Sequence, residues 1–246
     1  MSVLLLRLEG PQQSYGINSK FNMRDTVRQP TKSAVLGILC AALGIDRKDL
    51  RKLSQLRENL SMGIRVDCEG VIEYDFHVSG GGTLPQNYID GREIIKKNEY
   101  GVKKASGGKG GNSVGTVVSN RYFISDASFL VALESEDTEL LGKCAKALKN
   151  PHWPIFLGRK SFVPSSPLFI DVVDDDMRNI LMRYPWKPWG GAAYSLKKPH
   201  MLRILIENKN GEEYLKDSPV SFEHGNRKFE TRHYETMMVN LTDLEE

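Results

Sequence analysis

Residues 24–44 have the sequence RDTVRQPTKSAVLGILCAALG, in which a basic polar loop runs directly into an apolar segment. Pro30 fixes its own φ and holds the residue before it in extended geometry, so we expect a helix to begin at Thr31 or at the next residue. The apolar side chains then recur at the spacing of a helix face: Val35, Ile38, Leu39 and Ala42. The stretch predicts a buried helix with Thr31 or Ser33 as its N-cap and Gly44 as its left-handed terminator.

The beginning of this helix is a candidate phosphate site. A helix N-terminus presents unpaired backbone N–H groups and the positive end of the helix dipole. Here it lies beside Arg24, Arg28 and Lys32 and the hydroxyl group of Ser33. We predict that these four side chains bind phosphates. The alternative is an ordinary core helix preceded by a loop that carries surface charges.

Composition excludes several classes of protein. The 246 residues are 40% hydrophobic, which is enough for one large or two small cores, but no apolar run is long enough to span a membrane. Arg7 and Glu9 interrupt the apolar N-terminal run, so it predicts a first strand rather than a signal peptide, and we expect a cytoplasmic protein. The three cysteines form no Cys-x-x-Cys pair, which argues against a thiolate metal site.

The net charge of +3 and the pI near 8.6 are too mild to identify a nucleic-acid-binding protein. Positive charge is nevertheless concentrated between residues 92 and 121. Basic residues outnumber the acidic Glu93 and Glu99 there; they are Arg92, Lys96, Lys97, Lys103, Lys104, Lys109 and Arg121. The region 80–120 is also rich in Gly and weakly periodic. It is either a disordered loop or a flexible hairpin that orders on a polyanion. Its glycines match neither a Walker A loop nor a dinucleotide fingerprint, so no cofactor is predicted.

Periodicity and capping residues predict the remaining elements. Strands are predicted at 2–8, 61–68, 71–79, 122–133, 168–173, 201–207, 212–215 and 234–239, and helices at 46–60, 137–148 and 176–184. Glu69-Gly70 predicts a hairpin between the second and third strands. The order predicts an α+β, ferredoxin-like (RRM-like) domain over 1–151 and a β-rich C-terminal lobe over 152–246 that can also complete the first sheet.

Several motifs occur in an order that is typical of one known family. They are LRLEGPQQSYG (6–16), RQPTKS (28–33) with LGIL (36–39) and LGI (43–45), SDASF (125–129) and LGRK (157–160). They resemble the Cas five family (RAMP) subunit of the type I-E CRISPR surveillance complex, Cascade. FETRHY (229–234) is also similar, whereas the insert and the chain beyond about residue 168 match poorly.

The resemblance implies a RAMP fold, in which a ferredoxin-like domain carries an inserted thumb hairpin, here about residues 80–120, beside a small C-terminal lobe. It implies a subunit that holds the 5′ handle of the CRISPR RNA (crRNA) and caps one end of the complex. Its neighbours would be a backbone Cas seven family subunit and the large subunit, with no membrane partner. In subtype I-E a separate subunit cuts the precursor RNA, so this one is expected to bind without cleaving.

Recognition of splayed single-stranded RNA uses polar loops, stacking and cations, and it needs no metal. The polar loop after the first strand supplies such groups, although a surface loop with one tyrosine packed inward is the alternative. The predicted RNA-binding residues are Gln13, Ser14 and Tyr15 for bases or sugars; Arg24, Arg28, Lys32 and Ser33 for phosphates; Arg121, Arg159 and Lys160 for backbone charge; and Lys103, Lys104 and Lys109 in the insert.

Three other functions remain open. Type I-C relatives cleave precursor RNA without metal, and five histidines are available here as acids or bases: His77, His152, His200, His224 and His233. A metal enzyme is disfavoured, because the three consecutive aspartates at 174–176 are typical of a solvated turn. An assembly protein could instead dock a partner through Trp186 and Trp189 without touching RNA.

Overall fold

The computed structural model describes residues 1–17, 22–80, 88–89, 92–93, 116–186 and 199–240. The helices in these ranges are α1 (Lys32–Leu43), α2 (Leu50–Asn59), α3 (Thr138–Lys149) and α4 (Met177–Arg183). The strands are β1 (Ser2–Glu9), β2 (Gln12–Gln13), β3 (Met23–Arg24), β4 (Ser61–Cys68), β5 (Val71–Gly80), β6 (Tyr88–Ile89), β7 (Arg92–Glu93), β8 (Thr116–Ser125), β9 (Ser128–Ser135), β10 (Phe169–Val173), β11 (Met201–Glu207), β12 (Glu213–Ser221) and β13 (Lys228–Asn240).

Seven strands form one antiparallel sheet in the order β10-β1-β9-β4-β11-β13-β12. The predicted α+β class is therefore confirmed, and the sheet is larger than the four strands of the predicted domain. Strands on both sides of residue 152 belong to it, because β10 pairs with β1 and β11 pairs with β4. The division of the chain into two domains stays a prediction.

This sheet has a core on each face. Successive side chains of a strand point to opposite faces, and those of β1 are buried on both. Leu4, Leu6 and Leu8 pack in one core with residues of α1, α2 and α3. Val3 and Leu5 pack in a second core with residues of α4. The continuous apolar run Val3–Leu6 of β1 is thus explained, because neither face of this strand meets solvent.

Helix α1 confirms the prediction made from residues 24–44. Thr31 is its N-cap, and the Thr31 side chain accepts a hydrogen bond from the backbone N–H of Ala34. Gly44 ends the helix at a φ of 69°, and its N–H donates to the carbonyl of Cys40. A left-handed φ of this kind favours glycine, so the terminator could be recognised from the sequence.

The predicted start of α2 is wrong by about one turn. Asp49, not Asp46, is the N-cap, and its side chain accepts from the N–H of Lys52. Asp46 instead accepts from the N–H of Lys48 at 2.9 Å and shapes a turn before the helix. Both aspartates form the same kind of local hydrogen bond, so the sequence alone did not distinguish the turn from the cap.

Two strand predictions are also wrong. Strands β4 and β5 do not form a hairpin, because β4 pairs with β9 and β11 whereas β5 pairs with β8 in another sheet. Gly70, at a φ of 67°, lies where the chain passes from one sheet to the other. The strand predicted at 122–133 is two strands, separated at Asp126 with a φ of 54°. The alternating pattern continues across both breaks, so periodicity did not reveal them.

A second sheet stands beside the first. Strand β8 pairs with β5 on one side and with β2 and β3 on the other, and the β3–β8 pairing is parallel. The β5–β8 pairing runs from Val71 opposite Ser125 to Gly80 opposite Thr116. We call this pair the ribbon. The insert leaves and rejoins the described chain at the end of the ribbon that holds Gly80 and Thr116, and most of the thumb predicted at about 80–120 lies outside the described residues.

Trp186 is packed within the protein. Its indole N–H donates to the carbonyl of Asp67 at 3.0 Å, and its ring packs with Leu202 and Val239. The fully buried Arg65 holds the preceding segment by donating to the carbonyl oxygens of Leu181 and Tyr184. This arrangement favours a packing role for Trp186 over docking of a partner. Trp189 lies outside the described residues.

Candidate nucleic-acid interface

Three of the predicted RNA-binding arginines lie together on the small sheet. Arg24 of β3 lies directly beside Arg121 of β8, and Asp75 of β5 lies on the other side of Arg121. Arg159 reaches the same place from the loop before β10. Its guanidinium group forms an ion pair with Asp75 at 3.0 Å and donates to the carbonyl of Tyr122 at 2.8 Å. We call Arg24, Arg121 and Arg159 the arginine cluster.

The cluster carries more positive charge than Asp75 can balance. Partial burial is the main cause that lowers the pKa of Arg159. Asp75 opposes the shift, and repulsion from Arg121 and Arg24 makes smaller contributions that lower the pKa. Such mutual repulsion is relieved when an anion binds between the cations. Arg24 is exposed and Arg121 is half-buried, so a phosphate group can approach from solvent.

Arg159 is held in position by two aromatic rings. Its guanidinium carbon lies 4.9 Å from the ring centroid of Phe162 and 6.0 Å from that of Phe123. These cation–π contacts and the bond to the Tyr122 carbonyl fix the side chain before any ligand arrives. Lys160, the next residue, is exposed and adds a second positive charge to the same turn.

Ser14 lies against the same turn. Its backbone N–H donates to the carbonyl of Leu157 at 3.0 Å, and its hydroxyl group donates to the carbonyl of Tyr122 at 3.2 Å. Gly158 has a φ of 102°, and a Cβ atom there would lie 2.0 Å from the carbonyl oxygen of Ser14. The loop after β1 and the turn that carries Arg159 are therefore in close contact, as only glycine allows.

The structure contradicts direct contact of Gln13 and Tyr15 with RNA. Both side chains are buried, at 0% and 1% exposure. The Tyr15 hydroxyl donates to Gln13 Oε1 at 2.5 Å, and Gln13 Nε2 donates to the carbonyl of Ala127 at 2.7 Å. Burial raises the pKa of Tyr15 above its ordinary value. These residues hold the loop that presents Ser14, because their polar atoms are already bonded inside the protein.

The helix N-terminus is also not an open phosphate site. Asp217 of β12 occupies it, accepting from the backbone N–H of Lys32 at 2.8 Å. Arg232 donates to both carboxylate oxygens of Asp217, at 2.9 and 2.8 Å, and the second of these is the oxygen that accepts from Lys32. The protein thus supplies its own anion to the positive end of α1.

Lys32 and Ser33 are likewise engaged within the protein. Lys32 is 3% exposed, and its Nζ atom contacts both carboxylate oxygens of Glu207 at 2.8 and 2.9 Å. Burial lowers the pKa of Lys32, and Glu207 opposes that shift. Ser33 Oγ lies 3.1 Å from Thr31 Oγ1. The prediction that Lys32 binds phosphate is therefore wrong in this structure, because the ammonium group is inaccessible and paired.

Arg28 is exposed and faces an open groove rather than the arginine cluster. Lys103, Lys104 and Lys109 lie outside the described residues. Asp75 and Phe162 contribute to the interface but were missed in the sequence analysis. Asp75 lies opposite Arg121 because of the register of the β5–β8 pairing, and no local sequence pattern predicts that register.

Within the described ranges no group of three or more His, Cys, Asp and Glu side chains could hold a metal ion. Over the same ranges no helix is both long enough and apolar enough to cross a membrane.

The chain belongs to the family described as "CRISPR-associated protein (Cas_Cas5)", whose model matches residues 3–235. A curated relative, the CRISPR system Cascade subunit CasD of Escherichia coli (strain K12), is 34% identical over 197 residues, which are 79% of this chain and 81% of the relative. The family resemblance inferred from the sequence is thereby confirmed.

Two solved structures are similar over almost the whole chain. One, described as a crystal structure of a Cas protein, is 33% identical with a TM-score of 0.68. The match covers 98% of this chain and 97% of the chain in that structure. The other, a chain of a CRISPR RNA-guided surveillance complex, is 29% identical with a TM-score of 0.68. The match covers 97% of this chain and 90% of that chain.

Proposed function

We propose that this protein is a non-catalytic RNA-binding subunit of a Cascade-type complex in antiviral defence. It holds the 5′ handle of the crRNA in the cytoplasm and caps one end of the complex. Its neighbours are a backbone Cas seven family subunit and the large subunit. The observation that carries the proposal is the arginine cluster, which joins three separate chain segments in one accessible cationic site.

The fold supports the same proposal. The order β10-β1-β9-β4, with helices following β1 and β9 along the chain, is what a ferredoxin-like domain requires. The thumb of that fold would be the insert carried at the end of the ribbon. We retain the boundary near residue 152 for the smaller lobe, although its strands continue the large sheet.

Binding of single-stranded RNA at the cluster should depend on salt. Each phosphate contact contributes about 0.7 to the slope of log K against log salt concentration. We expect Arg24→Ala and Arg121→Ala each to weaken binding of handle RNA and to reduce that slope by roughly one contact. Lys143→Ala is the matched control, because Lys143 is an exposed lysine on α3 in an i,i+4 pair with Glu139. Equal affinities and slopes for all four proteins would contradict the proposed site.

The absence of catalysis needs its own test. His77 lies two residues from Asp75 on β5, so it shares the face of the ribbon that carries Arg121 and is the histidine to examine first. Purified protein is incubated with repeat RNA in EDTA, and the products are mapped. We expect no site-specific cleavage. Cleavage that His77→Ala abolishes would establish the endoribonuclease alternative instead.

A further inference from the structure

We propose that the groove beside Arg28 is a binding site for one splayed nucleotide of single-stranded RNA, distinct from the arginine cluster. The inference rests on the proposed RNA-binding function and adds a base-reading site to it. The groove has a volume of about 580 Å³ and is open to solvent. It is lined by Thr26, Val27, Arg28, Gln29, Glu69, Ile72 and Arg203. Small-molecule sites in proteins measure about 300–1,000 Å³, so one nucleotide fits.

The lining separates into the parts that a nucleotide needs. Val27 and Ile72 are half-buried and pack against the main core, so they form an apolar floor on which a base can lie. Arg28 is exposed at the rim, where its cation can meet a phosphate group. Gln29 places an amide group beside the floor. Unstacked bases in RNA complexes are recognised by this combination of an apolar surface, hydrogen bonds at the base edge and a cation.

The orientation of the Gln29 amide is set by Arg203. The guanidinium group of Arg203 is fixed by Glu69 through two bonds of 2.9 Å, from Nε and from one terminal nitrogen. Its other terminal nitrogen lies 3.5 Å from Gln29 Oε1, a long hydrogen bond. The amide oxygen therefore faces Arg203, and the NH₂ group, which has no hydrogen-bond partner among the described residues, can donate. It would bind an acceptor on the edge of a base. The Glu69 carboxylate does not repel the ligand strongly, because Arg203 neutralises it.

The wall of the groove is already ordered. The Val27 N–H donates to the carbonyl of Tyr15 at 3.0 Å, and Thr26 Oγ1 accepts from the Tyr15 N–H at 2.8 Å. Pro30 restricts the backbone on the other side of Gln29. A preformed wall lowers the entropy cost of binding. The buried Tyr15, which cannot touch RNA, thus supports this site from beneath.

The groove and the cluster lie on opposite faces of the ribbon. Ile72 and Asp75 are three residues apart on β5, so their side chains point to opposite sides, about 10 Å apart along the strand. An RNA strand held at the cluster can place a base in the groove only if that nucleotide turns out of the strand. The site is therefore suited to a splayed nucleotide rather than to a continuous base stack.

The test is an abasic scan of handle RNA against the full chain. Equilibrium binding is measured by fluorescence anisotropy for handle RNAs that carry one abasic nucleotide at each position in turn, and for a scrambled RNA. The proteins are wild type, Gln29→Ala and the control Gln55→Ala, which changes an exposed glutamine on α2. Thermal unfolding verifies the fold of each, and Gln29→Glu serves as a second variant that replaces the donor with acceptors.

We expect one abasic position to weaken binding to wild type and to Gln55→Ala by ~10-fold, the effect of losing a base that packs on the apolar floor and accepts one hydrogen bond. The same position should have a smaller effect in Gln29→Ala or Gln29→Glu, because the hydrogen bond to the base is already lost while the apolar floor remains. If wild type prefers handle RNA to scrambled RNA but no position couples to Gln29, the groove proposal is overturned and the proposed function stands. If the groove docks a protein segment instead of a nucleotide, the same outcome is expected: a preference for handle RNA without any position that couples to Gln29. If wild type does not prefer handle RNA, both proposals are overturned.

Discussion

The substitution Asp217→Asn tests whether the N-terminus of α1 is closed by the protein's own carboxylate. Asp217 is 2% exposed and binds both Arg232 and the backbone N–H of Lys32. Asparagine keeps the shape of the side chain but removes its negative charge. It also replaces one carboxylate oxygen by an NH₂ group, a donor that would face the donors of Arg232 and Lys32. A buried guanidinium group left without its counter-charge costs about 3–5 kcal/mol, and the weakened helix cap adds up to about 1 kcal/mol.

We therefore expect Asp217→Asn to lower the free energy of unfolding by about 4 kcal/mol, measured by urea unfolding followed by circular dichroism. In a chain of this length the melting temperature should fall by about 10 °C. The control is Glu230→Gln on β13, because Glu230 is 63% exposed where it pairs with Arg57 and should contribute no more than about 1 kcal/mol. The double variant Asp217→Leu, Arg232→Met removes both charges together and should recover much of the loss.

RNA binding distinguishes this closed end from a phosphate site. Removing a carboxylate from a true phosphate site would strengthen RNA binding, whereas here the affinity of folded Asp217→Asn for RNA should equal that of wild type. The reasoning is refuted if Asp217→Asn costs as little as Glu230→Gln, or if it binds RNA more tightly.

Other consequences of the structure can be measured directly. Gly158→Ala should destabilise the protein and weaken RNA binding, since the added Cβ would meet the Ser14 carbonyl; unchanged melting would contradict the contact. Burial raises the pKa of Cys40 to about 12, so at pH 9 only about one native thiol in a thousand is ionised and labelling with a thiol reagent should be slow until the protein unfolds. The pKa of the Cys40 thiol is higher in the folded than in the unfolded protein, so its contribution to the free energy of unfolding is present below about pH 9 and is lost as the pH rises further. Rapid labelling of the native protein would show that Cys40 is accessible. Replacing residues 81–115 by Asn-Gly, between the paired Gly80 and Thr116, should leave a folded core but impair copurification with crRNA and the other subunits; full recovery of the complex would make the insert dispensable.

The sequence predicts those parts of the site in which the type of residue is enough to indicate its role. Arg24, Arg121 and Arg159 are long cationic side chains, and the structure brings all three together. Gln13 and Tyr15 have the same polar character but are bonded to each other inside the core. A sequence shows that a side chain can form hydrogen bonds, but it does not show whether the partner is another residue or a ligand.

The sequence by itself determined the elements whose signals are local. Helix α1 follows from a proline, a capping threonine, an apolar face and a glycine, all within 30–44, and β1 follows from its continuous apolar run. The tertiary structure alone decided which strands pair, that Asp217 closes the helix N-terminus, and that Gln29 meets Arg203 across a groove. These partners are more than 170 residues apart, and long-range pairing depends on packing of the whole chain, which no local periodicity encodes.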